Sequence, residues 1–265
     1  MSQSIHTASQ HEYPKILSRL RENKVRNAWA IQDLTVWPKQ SKITFADNHS
    51  SQFSYLLVTG HPASHEHPTL VADGDPAIVS LMLDQYEADG PCIIRETSAQ
   101  LQAVCSRRFP KGKVFIEQRM DVTKNSFIIQ HRGLARSLTA SDAEKLAAFF
   151  GAPPQAAPRF MGWLKGSRAF YGVFDGDKIV AIGSTMVSVP EAWSLVSIQT
   201  HKDYRGKGYG TEVTSALVER ALHDTDTVTV TVVKDNAPAI RTYQKVGFKL
   251  AEDRIWLDNG TGSEP

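Results

Sequence analysis

Between residues 192 and 233 the hydrophobic period of the chain changes twice, and this constrains the fold more than any other feature. Residues 192–200 alternate and are rich in strand formers, with Val196, Ile198 and Thr200 expected on one face and Leu195, Ser197 and Gln199 on the other. From Tyr209 onward, Val213, Ala216, Leu217 and Ala221 recur at intervals of three and four, which predicts an amphipathic helix to about His223. Residues 227–233, Thr-Val-Thr-Val-Thr-Val-Val, return to a strand pattern. Strand, helix and strand in this order predict a right-handed crossover. The link into its helix is Arg205-Gly206-Lys207-Gly208-Tyr209-Gly210. Alternating glycines let the main chain approach an anion closely, and a helix starting there aims its unpaired N–H groups and positive dipole end at the same anion. Arg205 and Lys207 add positive charge at the mouth.

Two familiar glycine motifs do not fit. A dinucleotide fingerprint requires a third glycine where Thr211 stands, and a phosphate loop requires a Gly-Lys-Ser/Thr ending that is absent. A second motif follows one crossover later, from Asn236 through Ala239 and Tyr243 to Gly247-Phe248. Asn236 is a good N-cap, and Pro238 is tolerated in a first helical turn. Ile240, Tyr243 and Val246 recur at helical spacing before Gly247 ends the helix, so Tyr243 is expected on a partly buried face.

The pattern Arg-x-x-Gly-x-Gly, followed by Asn-x-x-Ala-x-x-x-Tyr and a Gly-Phe pair, resembles the two signatures of the GNAT superfamily of acyl-CoA-dependent N-acyltransferases. The resemblance covers residues 127–262, about half the chain; it is specific at the two signatures and architectural elsewhere. It implies acetyl-CoA or another short acyl-CoA as co-substrate. Backbone groups of Ile198, Gln199 and Thr200 would align the pantetheine arm like an added strand. Arg205, Gly206, Lys207, Gly208, Tyr209, Gly210 and Thr211 would hold the pyrophosphate. Asn236 would contact the cofactor or cap its helix, and Tyr243 would supply a proton to the leaving sulfur. Glu191, just ahead of the strand, is the first choice of general base, followed by His201 and Asp235. The implied reaction is transfer of an acetyl or short acyl group to a primary amine of a small molecule or amino acid. A non-catalytic acyl-CoA sensor is the alternative.

The rest of the chain reads as a mixed α/β protein, a twisted sheet flanked by helices. Residues 170–174 and 179–186, joined by Asp175-Gly176-Asp177, predict a hairpin. Residues 133–143 predict a strand entering a helix capped by Thr139 or Ser141. Trp163, Phe160 and Tyr171 form either an aromatic wall or ordinary core. The expected division is a GNAT domain over 127–265 and a smaller or degenerate α/β domain over 1–126. In the latter, strands are expected at 53–58, 69–72, 91–95 and 113–120, with helices from Asp75-Pro76 and over 98–108; Ile78, Leu81, Met82 and Tyr86 would line the first helix. This half has no glycine-alternating loop and reads as free of cofactor, shaping a substrate site or simply stabilising its neighbour.

With 30 basic against 28 acidic residues, the net charge of +2 offers no chain-wide attraction to nucleic acid or membrane. The basic residues from Lys15 to Arg26 are expected on a solvated helix face. Cys92 and Cys105 form neither a disulfide framework nor a zinc spacing, and His61, His65 and His67 lack an acidic partner pattern, so no metal is expected. The expected setting is the cytoplasm, without signal peptide or membrane segment, as a monomer or homodimer.

Overall fold

The computed structural model describes residues 5–46, 53–60, 67–87, 90–263 and 265. In chain order the elements are β1 (His6–Thr7), α1 (Tyr13–Arg21), α2 (Ala28–Val36), β2 (Ser41–Ala46), β3 (Ser54–Thr59), β4 (Thr69–Asp73), α3 (Pro76–Asp84), β5 (Cys92–Ser98), α4 (Gln102–Arg108) and β6 (Lys113–Thr123). They continue with β7 (Ala135–Ser137), α5 (Ala143–Phe149), α6 (Ala157–Lys165), β8 (Phe170–Asp175), β9 (Lys178–Val189), β10 (Ala192–Thr200), α7 (Tyr209–Leu222), β11 (Thr227–Val233), α8 (Ala237–Val246) and β12 (Lys249–Asn259). The same order of strand, two helices, three strands, helix, strand, helix and strand is thus traversed twice. β4, α3, β5 and α4 in the first pass correspond to β10, α7, β11 and α8 in the second.

Two compact units result, one of residues 1–119 with 252–265 and the other of residues 120–251. The last fourteen residues therefore group with the N-terminal half. In the first unit the strand order is β1-β2-β3-β4-β5-β12, with β4 and β5 parallel and β12 antiparallel to β5. One face is covered by α3 and α4, through Ile78, Met82, Leu83 and Cys105, and Ile255 and Leu257 of β12 belong to the same core. The other face packs against α1 and α2 through Ile16, Leu20, Ile31 and Leu34. The apolar stripe of α3 differs from expectation: Val79 and Leu83 are buried whereas Leu81 is 54% exposed. Arg26 is not on a solvated face either, because it makes ion pairs with Asp73 and Glu252.

The second unit has the order β11-β10-β9-β8-β7. The β8–β9 hairpin forms as predicted, turning at Gly176 with φ of +57°. Thr139 rather than Ser141 caps the turn before α5, in a box with Asp142. On one face α7 and α8 bury Val213, Leu217, Tyr243 and Val246, together with Met120 and Val122 of β6. On the other, α5 and α6 bury Leu146 and Phe160, against which Trp163 packs. Tyr171 packs against the α7 side instead, so the three aromatics do not form one wall. Cys92 and Cys105 are free and buried, which pushes their thiols up to about 11 and about 12. His61 and His65 lie outside the described residues, among which no metal-binding group occurs.

One polar contact ties α7 to the strand-entering segment 132–135. Glu212, 1% exposed in the first turn of α7, accepts hydrogen bonds from the main-chain N–H groups of Arg132, Leu134 and Ala135, the shortest being 2.7 Å. Burial alone would raise its pKa, but these donors and the Arg132 guanidinium hold it below the ordinary carboxylate value. An amide offers one acceptor oxygen where the carboxylate offers two charged ones. Glu212→Gln is expected to cost about 2–3 kcal/mol in urea unfolding at neutral pH. A group whose pKa is depressed on folding stabilises above its unfolded pKa and loses that contribution as pH falls through the folded one. The deficit of the variant should therefore shrink on acidification below the carboxylate range.

Candidate active site

Strand β10 does not alternate through its length as the sequence suggests. It pairs in parallel with β11 only at Trp193, Ser194 and Leu195. On its other side it continues with β9 as far as Thr200, with register breaks after Ser194 and after Val196. Ser197 takes φ of +54°, a costly conformation for a residue with a side chain. This bulge shifts the side-chain alternation, so Leu195 and Ile198 face the same core, contrary to the simple period-two reading. Gly183 on β9 provides the space: a β-carbon there would lie 2.6–2.7 Å from atoms of Ile198, Val213 and Leu217. Past Leu195, β10 and β11 part, and Ile198, Gln199 and Thr200 line a cavity of about 720 Å³ in the second unit.

The glycine loop forms the next part of that cavity wall, through Arg205, Gly206, Gly208, Tyr209, Gly210 and Thr211. Gly206 and Gly208 have φ of +79° and +83°, and a β-carbon on either would project into open space. Gly208 is the N-cap of the fourteen-residue α7 and brings no side chain to satisfy the first-turn amides. Arg205 donates from Nε to the Thr200 carbonyl at 3.4 Å, tying the loop to the strand end. The Lys207 ammonium lies 4.8 Å from the ring centroid of Tyr204, which also lines the cavity and which the sequence reading missed. Lys207 itself does not line the cavity; bare amides, a helix dipole and the Arg205 cation in an open cleft, with Lys207 next to them in the loop, suit a diphosphate.

Helix α8 supplies the third wall. Asn236 lines the cavity and caps the helix, accepting from Ala239 N–H at 3.3 Å. Tyr243 also lines it, although only 6% exposed. Burial pushes its phenol up to about 12, and its hydroxyl has no hydrogen-bond partner among the described residues. The cavity therefore presents a protonated hydroxyl on the same helix that Asn236 caps. Glu191 is not brought to this place. It sits in the turn that begins β10, nine residues before Thr200, or about 25–30 Å along the strand. His201 accepts from Asp203 N–H at 3.4 Å and lines a different groove with Lys145 and Lys178, and exposed Asp235 does not line the cavity.

The corresponding turn of the first unit has the opposite electrostatics. There Asp75 caps α3, its carboxylate accepting from Ala77 and Ile78 N–H at 2.8 and 3.2 Å, and Pro76 has no N–H to offer. A side-chain anion already occupies the helix end that would otherwise attract a phosphate.

The family described as FR47-like protein matches residues 170–257. Mycothiol acetyltransferase of Corynebacterium glutamicum is 31% identical over 94 residues, which cover 35% of this chain and 32% of that protein. The chain thus spans about a third of the length of this curated relative. A Drosophila protein of known structure superposes over 99% of this chain and 100% of its own with a TM-score of 0.72 at 14% identity. A tandem GNAT protein from the clavulanic acid biosynthesis pathway does so over 99% and 100% with a TM-score of 0.56 at 12% identity. Residues 170–257 thus match the FR47-like family, and the chain as a whole shares its fold with these two solved structures.

Proposed function

We propose that the second unit is an N-acetyltransferase that moves an acetyl or another short acyl group from acyl-CoA to a primary amine of a small molecule. The observation that carries this reading is the unpartnered Tyr243 hydroxyl bordering the same cavity as the glycine cradle. The thioester supplies the acyl group and a leaving thiolate. The amides of Gly206 to Thr211, with Arg205 and Lys207, hold the pyrophosphate. The main chain of Ile198 to Thr200, released from β11, aligns the pantetheine arm and polarises the thioester carbonyl. Tyr243 gives its hydroxyl proton to the sulfur as the carbon–sulfur bond breaks, and the proton shed by the amine nitrogen as the amide bond forms passes to solvent, from which the phenol is recharged. Glu191, at the far end of β10, has no part in this reading.

Two substitutions separate binding from chemistry. Gly208→Asp places a charged side chain in the cradle and is expected to abolish acetyl-CoA binding, read as loss of the ligand-induced rise in melting temperature. Tyr243→Phe is expected to keep that rise while amine-dependent thiol release falls about 10²-fold. Undiminished release in Tyr243→Phe would remove the acid from the mechanism; absence of release in the parent protein, with the thermal shift intact, would favour a sensor.

The Tyr243 phenol, raised to about 12, stays protonated throughout the neutral and moderately alkaline range. Thiol release should therefore show no alkaline decline attributable to this group up to about pH 10. A profile of kcat against pH in parent and Tyr243→Phe checks this.

A further inference from the structure

The first unit carries an unusual polar cluster on the face of its sheet that α2 covers. Ile94, Ile116, Ile255 and Leu257 belong to the core on the α3 and α4 side. Strand alternation therefore sends Arg95, Glu117 and Trp256 to the opposite face. From α2, Trp29 and Asp33 present at i and i+4. The Arg95 guanidinium lies 4.2 Å from the Trp29 ring centroid and 4.7 Å from that of Trp256. Two indoles thus hold the flat guanidinium by stacking, which leaves its hydrogen-bonding edge to be satisfied by something else.

Nothing among the described residues does so. Arg95 makes no hydrogen bond or salt bridge there, although it keeps partial exposure to solvent. Its Nε is buried without a partner, as are the Trp29 Nε1, the Trp256 Nε1 and the Arg254 Nε. All four atoms are donors. Three acids, Glu96, Glu117 and Asp33, act on Arg95 through their charge, but none accepts a hydrogen bond from it. Asp33 accepts from the Thr59 hydroxyl at 2.8 Å. Burial and the proximity of Glu96 push Glu117 up to about 8, so at neutral pH its carboxyl keeps a proton. Arg254 is committed through its other nitrogens to the Glu96 carbonyl and to Glu252. Buried donors of this kind are rarely left unmet. Four donors without an acceptor call for a group that only accepts, and a planar fork stacked against two indoles matches a carboxylate.

We propose that the first unit binds a small carboxylic acid in its ionised form, with the edge of Arg95 gripping the carboxylate and the indole N–H groups of Trp29 and Trp256 as further donors. The site is independent of the glycine cradle. It gives the unit without a cradle a ligand of its own.

The test titrates the full chain with acetate, benzoate, glycine and glutamate against acetamide, benzamide and glycinamide, following tryptophan fluorescence and heat. Saturable binding of at least one carboxylate, without binding of its amide, is expected. Arg95→Lys should weaken it by about tenfold or more, because an ammonium lacks the fork. Trp29→Phe should keep the stacking and weaken binding severalfold through the lost N–H. Arg95→Met, an apolar chain between two indoles, should melt no lower than the parent, which separates loss of ligand from loss of fold. Gly208→Asp should titrate like the parent, which separates this site from the acyl-CoA reading. No binding by any of the four carboxylates, or affinity unchanged in Arg95→Lys, overturns the site.

Discussion

The parting of β10 from β11 is the constraint on which the site depends. Parallel strands satisfy one another's backbone groups, and a strand that leaves its neighbour must find other partners or keep a cleft open to solvent and ligand. Here the departure is produced by a bulge at Ser197, whose positive φ turns Ile198 inward against Val213 and Leu217 of α7. The same contact sets where α7 begins relative to the strand end, and hence where Gly206 and Gly208 face the cleft. Glu212 then secures the first turn of that helix from the other side. Strand edge, cradle and Tyr243 share a wall because one irregularity in β10 is held in place by ordinary packing.

The two passes through the fold show how little sequence separates a phosphate cradle from its opposite. Both join a parallel strand to a helix through a glycine-containing turn. In the second unit the turn leaves the amides bare and sets cations beside them. In the first, Asp75 answers the same amides with a carboxylate and Pro76 removes one of them. Helix ends are satisfied either by the chain itself or by something that binds, and the choice here rests on a few side chains. The first unit has instead concentrated buried polar groups around Arg95, on a different face of its sheet.

What was legible in the sequence follows from the range of the forces involved. The crossover, the glycine loop and the Asn236-to-Phe248 helix are local patterns and appear where period and capping place them. Ile198, Gln199, Thr200, Asn236 and Tyr243 line one cavity because each is fixed by an element whose boundaries are themselves local. The bulge was not legible, since a strand of alternating residues carries no mark of the register break that Gly183 on the neighbouring strand accommodates. Nor was the position of Glu191, because closeness in sequence to a strand says nothing about which end of it carries the cleft. Tyr204 stands beside the basic loop and offered a signal that went unused. The repetition of the fold was hidden because the two halves share element order without sharing the motifs that make one of them recognisable. The Arg95 cluster joins α2, β5, β6 and β12, and no periodicity connects residues so distant along the chain.

The placement of β12 bears on how such a molecule comes into being. Its Ile255 and Leu257 complete a core otherwise built from residues before 117, and Arg254 reaches the Glu96 carbonyl across more than 150 residues of sequence. Domains made on the ribosome ordinarily close in the order of synthesis, the N-terminal one first. Here the core of the earlier unit is complete only with residues 254–259, whereas the core of residues 120–251 draws on that stretch alone. Until β12 is made, the edge of β5 lacks its antiparallel partner, and an open strand edge is a template for pairing with another chain.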